Sequence, residues 1–161
     1  GRRLPRFVGE FSHDTGGQDT FSPSVPGEIS HRKMSGDSFI LTRGSFMACT
    51  PGINLKTRFG GLKAMLSGER SFFIECSGEG DLFFNTFGAL IEKDINGSFT
   101  VDTGHVVAWE PSLTYSIRGM GGLKSTLLSG EGVAMRFFQA PGISSCLLDS
   151  DALNSSVWTT R

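Results

Sequence analysis

The chain has 161 residues, enough to bury a sizeable core in one or two compact units without disulfide or metal support. Its 15 basic and 16 acidic residues nearly cancel, which excludes a dominant phosphate-binding field although a local basic patch stays open. No apolar run approaches the roughly 18 residues that span a bilayer as a helix, and no signal-peptide pattern opens the chain, so the sequence reads as soluble.

Glycine, at 22 residues, is about twice its average usage of roughly 7%, and Phe supplies 14 of the aromatics. Spaced glycines between aromatic and β-branched runs predict short strands joined by tight turns. Residues 1–38 read as the remainder of a first repeat and a connection. There Phe7-Val8-Gly9-Glu10 resembles the later Leu-Ser-Gly-Glu, and Gly16 to Phe21 resembles Gly78 to Phe83. His13 with Asp14, and His31 with Glu28, are weighed as metal ligands and read instead as solvated loop residues, because no zinc-type spacing accompanies them.

Residues 39–98 read as a second repeat and residues 99–161 as a third with an atypical C-terminal extension. Phe39–Gly80 aligns with Phe99–Gly142: Gly44 with Gly104, Pro51 with Pro111, Gly60-Gly61-Leu62-Lys63 with Gly121-Gly122-Leu123-Lys124, and Ser67-Gly68-Glu69 with Ser129-Gly130-Glu131. Within each copy the period is two. Ile53, Leu55, Thr57 and Phe59 alternate with polar residues, as do Leu113, Tyr115 and Ile117, which predicts strands with one face on a core.

Phe39-Ile40-Leu41 and Val106 to Trp109 read as more fully buried strands, and Pro51 and Pro111 as turns between strands. Asn96-Gly97 is expected to form a hairpin turn. The helix-like pieces are Leu62–Leu66, its counterpart Leu123–Leu128, and Ser145–Asn154, the last predicted as a short helix. All else is strand and turn, so the fold class is all-β.

Three cysteines, Cys49, Cys76 and Cys146, cannot all pair in one chain and show no Cys-x-x-Cys spacing, so they are expected to be buried or free thiols. The pair Asp102 and His105 invites an acid–base reading, but the first copy has Thr42 and Ser45 there. A spacing of three in a strand would also separate the two side chains, so a turn-forming role is expected. There is no nucleophile elbow or P-loop. Lys63, Lys124, Arg58 and Arg118 recur in both copies and could form a basic ring touching RNA or anionic lipid. Interleaved exposed aromatics, which would complete a single-stranded RNA site, are missing.

Several motifs resemble a known family, the altered-inheritance-of-mitochondria proteins of mitochondrial biogenesis with their bacterial and archaeal relatives. They are Pro26-Gly27-Glu28-Ile29, a core strand at Phe46 to Ala48, Phe87-Gly88-Ala89-Leu90-Ile91, and above all Val101-Asp102-Thr103-Gly104-His105 running on to Trp109-Glu110. The resemblance implies repeated β-sandwich units like those of the tryptophan RNA-binding attenuation protein, homotrimers, and, in eukaryotic members, a link to organisation of the mitochondrial inner membrane. It implies no enzymatic activity. The chain is thus expected to be a non-enzymatic oligomeric scaffold or interaction protein, with a protein or anionic membrane partner, and a small-ligand or RNA-binding module as the alternative. No catalytic, cofactor-binding or metal residues are assigned and no cofactor is expected. The compartment would be cytoplasmic in a prokaryote and mitochondrial in a eukaryote.

Overall fold

The computed structural model describes residues 26–42, 44–59, 72–119, 133–138, 145–154 and 159–160. The Gly-Gly-Leu-Lys and Ser-Gly-Glu segments, their helix-like pieces, the N-terminal motifs with His13, and Lys63 and Lys124 lie outside the described residues. The chain is all-β, as its period-two patterning predicts. In order the strands are β1 (Ile29–Thr42), β2 (Phe46–Cys49), β3 (Ile53–Phe59), β4 (Phe72–Asn85), β5 (Leu90–Asp94), β6 (Ser98–Asp102), β7 (Val106–Trp109), β8 (Thr114–Gly119), β9 (Val133–Phe138), β10 (Ser145–Asp149) and β11 (Thr159–Thr160).

A seven-stranded sheet runs β2-β4-β1-β7-β10-β5, with β3 also on β4, and a four-stranded sheet runs β11-β6-β9-β8. Every strand-to-strand ladder is antiparallel, and the aligned stretches pair alike. Phe39 faces Cys76 and Leu55 faces the same Cys76; in the later stretch Phe99 and Tyr115 both face Phe137.

Two cores result. One surrounds Trp109 and holds Ile40, Phe73, Phe99, Val101, Met135, Phe137 and Leu148. The other surrounds Leu82 and holds Met34, Phe39, Leu41, Ile74, Cys76, Phe84, Val107 and Ala108. Their placement explains why Phe39-Ile40-Leu41 and Val106 to Trp109 break the alternation. Ile40, Val106 and Trp109 enter the first core while Phe39, Leu41, Val107 and Ala108 enter the second, so strands covered on both faces need apolar residues at every position. Each fully buried large side chain there removes roughly 1.5–3 kcal/mol of unfavourable hydration.

Turns follow the sequence at Pro51 and Pro111, each in a turn between strands. Elsewhere the structure corrects the reading. Ser145–Asn154 is not a helix: its first half is β10 and its second a 3-10 turn, because Cys146 and Leu148 are fully buried at alternate positions. Asn96-Gly97 does turn the chain, with Gly97 at φ +79°, but β5 and β6 do not pair with each other, and the turn hands the chain from one sheet to the other. Phe46 to Ala48 lies at the margin of a core rather than inside it, with Phe46 and Cys49 packed against the Leu82 core. All four β2 residues are half-buried at a sheet end, whereas all four β7 residues are buried.

Candidate functional site

Of the two described histidines His105 is the less exposed, half-buried with its side chain 27% exposed against 49% for His31. It closes the 3-10 turn Thr103–His105 between β6 and β7, and its Nδ1 lies 2.9 Å from Oδ1 of Asp149 at the end of β10. Asp149 is buried at 5% exposure, and the same oxygen accepts the Ala152 backbone N–H at 3.1 Å. A buried carboxylate needs such donors, since leaving it unpaired would cost several kcal/mol. Asp102 does not meet His105. Its carboxylate accepts the Gly104 N–H at 2.8 Å, capping the turn in the role expected of it.

The first copy builds the same corner with different chemistry. Ser45 precedes β2 as His105 precedes β7, and Asn85 ends β4 as Asp149 ends β10. Ser45 and Asn85 are both buried, joined by an N–H of Asn85 to the carbonyl of Ser45 at 2.8 Å. Thr42 and Ser45 meet hydroxyl to hydroxyl at 3.0 Å. A neutral corner is thus replaced by an imidazole–carboxylate pair in one of two matching places. The contact with Asp149 orients the His105 imidazole at this corner.

The other expected candidates separate. His31 leaves Glu28 and instead bonds Asp81 at 2.8 Å and stacks on Phe83, 5.0 Å between centroids, while Glu28 accepts the Leu90 N–H. The His31 hydrogen bond holds the Asp81 carboxyl below the usual carboxylate range. Arg58 is paired with Glu75, which raises the guanidinium further. Burial pushes the Cys76 and Cys146 thiols up to about 12 and raises Cys49 as well, and all three are free thiols. Among the described residues no group of three potential ligands could hold a metal ion.

Two arrangements escaped the sequence. Trp109 makes edge contacts with Phe73, Tyr115 and Phe137 at 4.8, 5.4 and 5.6 Å, an aromatic centre that draws its members from strands far apart in the chain. The second is on the surface. Ile29, Phe83 and Phe87 are exposed at 45%, 38% and 51%, close to the Gly27–Gly88 bridge that joins the segment before β1 to the segment before β5.

Paired antiparallel sheets around two cores, with a half-buried His–Asp corner and exposed apolar side chains near a sheet end, define an all-β protein of internally matching strand groups. The chain belongs to the Mitochondrial biogenesis AIM24 family, whose model matches residues 5–142. It is similar to an uncharacterised protein of Streptococcus pyogenes serotype M6, 29% identical over 134 residues that make up 81% of this chain and 54% of that protein. A crystal structure of a Streptococcus pyogenes protein matches with a TM-score of 0.67 and 27% identity, covering 83% of this chain and 58% of that one. The chain therefore spans just over half the length of the relatives it matches.

Proposed function

We propose that the protein is a non-enzymatic interaction or scaffold protein that works by self-association, as a trimer, through its sheet ends and faces. The observation that carries this reading is the exposure of the large apolar side chains Ile29, Phe83 and Phe87, with Phe83 opposite Ala48 of the half-buried end strand β2. Exposed apolar side chains next to a short edge strand are what a partner surface requires and what a solitary sheet avoids. A protein or an anionic membrane is the further partner of this scaffold. The His105–Asp149 pair fits the reading as a structural joint, since it fixes the β6–β7 turn to β10.

Native mass spectrometry and light scattering on the purified protein test it. A trimer at micromolar concentration is the expected result, and a stable monomer counts against it. His105→Ala and Asp102→Ala should keep partner association wherever the fold survives. A folded His105→Ala protein that loses a measurable turnover would replace this reading with an enzyme. RNA binding would instead show as an affinity that falls steeply with salt.

A further inference from the structure

We infer that the outer face of the four-stranded sheet, around Arg136 of β9, binds a small oxoanion, the carboxylate or phosphate group of a small molecule. The site is independent of the self-association reading.

Phe99, Val101, Met135 and Phe137 fill the Trp109 core, so the residues that alternate with them along β6 and β9 stand on the opposite face of the sheet. Arg136 is at the middle of that face, opposite Thr100 of β6 on one side and Ser116 of β8 on the other. The matching residue of the first copy is Glu75, which stands between Ile40 and Lys56. Beside it Ile40 and Phe73 are buried in the Trp109 core, whereas the residues in their register positions in the second copy are Thr100 and Ala134. The second face has thus given up the large apolar side chains that seat another layer of protein on the first.

The exchange also inverts the charge. Glu75 is neutralised by Arg58, and its side chain is only 15% exposed. Arg118 keeps the register position of Arg58, opposite Ala134 as Arg58 is opposite Phe73, but the acid is replaced by Arg136. Among the described residues no carboxylate pairs with Arg136. Its Nη2 donates to Oγ of Ser98 at 2.8 Å, and the guanidinium lies over the Phe138 ring, 5.3 Å from its centre.

Two adjacent polar groups are unused. Nε of Arg136 and Oγ of Ser116, on directly opposed residues, are both buried and without a hydrogen-bond partner. Arg136 as a whole is half-buried rather than enclosed. Buried donors almost always find an acceptor, and an arginine fork beside a hydroxyl suits the paired oxygens of a carboxylate or phosphate. The first copy supplies that acceptor from its own chain, as Glu75, and the second takes it from solution.

The test is an NMR titration of the wild-type protein with acetate and, separately, with inorganic phosphate, against sodium chloride at matched ionic strength. The arginine Nε–H signals and the amides of Thr100 and Ser116 are followed, the Arg136 signal being the one missing from Arg136→Lys. We expect saturable shifts with acetate, phosphate or both and none with chloride, the tighter probe giving the class of the natural ligand. Ser116→Ala should weaken the affinity at least about fivefold, through loss of a hydrogen bond to a charged group, and Arg136→Gln should abolish binding. Circular dichroism checks each fold. If Arg136→Gln fails to fold, Arg136→Lys decides, since it keeps the charge, loses the fork and should weaken binding at least about fivefold. Shifts that chloride reproduces mark an adventitious ion only and overturn the site, as do an absence of saturation with both probes and an affinity unchanged in a folded Arg136 variant.

Discussion

Asp149 shows what a single buried carboxylate asks of its surroundings. It has two donors, the His105 ring and the Ala152 N–H, and removing the first leaves a buried charge half-satisfied. His105→Ala should therefore cost about 1–3 kcal/mol in urea unfolding. The double change His105→Ser, Asp149→Asn installs the residues that the first copy uses and should recover most of that loss. A double variant no more stable than the single one would show that the two corners are not interchangeable. Cys76 and Cys146 make a second residue-scale case. Their folded thiols titrate near 12 against an ordinary 9, so the folded state holds its protons more tightly than the unfolded state. That contribution is complete below pH 9 and is lost as the pH rises toward 12. Unfolding midpoints should thus fall across that interval, less so in a Cys76→Ala, Cys146→Ala protein. At neutral pH a thiol reagent should label neither cysteine before the chain unfolds.

At the scale of elements, Gly27 and Gly44 give opposite expectations. A methyl group on Gly27 would drive into the Thr86 carbonyl oxygen beneath the Gly27–Gly88 bridge, and that oxygen is backbone and cannot step aside. Nothing lies within 4 Å of a methyl on Gly44, whose φ is not positive. Gly27→Ala should then lower stability by at least about 2 kcal/mol, and Gly44→Ala should change it by less than about 1 kcal/mol. Chemical denaturation of both variants checks the contrast. The elements most legible in the sequence were those with a clean period of two, such as Ile53 to Phe59, and those with unbroken apolar runs, such as Val106 to Trp109. The Ser145–Asn154 segment misled because a five-residue strand with Cys146 and Leu148 inward carries too few residues to display its period. The His105–Asp149 contact was hidden for a related reason: its two ends meet only through the β7–β10 ladder, which local spacing does not reveal. The half-buried state of β2 was equally invisible, since Phe46-Met47-Ala48-Cys49 is as apolar as a core strand, and only the sheet order makes it an end.

For the whole molecule, the two matching strand groups are fastened by β1, which belongs to both cores. Its Ile40 contributes to the Trp109 core and its Phe39 and Leu41 to the Leu82 core. Because Leu41 shares the Leu82 core with Val107 and Ala108 of β7, a Leu41→Ala change should loosen the join between the groups, costing about 2–5 kcal/mol with a single cooperative transition. Two separated transitions would show that the groups melt independently. The same fastening sets an order in time. Ile40 finds Trp109 only after roughly 70 further residues have been made, and at roughly 5–20 residues per second that delay lasts several seconds on the ribosome. During it the edge of β1 destined for β7 stands unpaired, a long-range closure of the kind that slows β-rich folding. The growing chain thus spends its early life with a sticky margin, and a shortage of folding helpers in the cell should be felt first by nascent chains that end before Trp109.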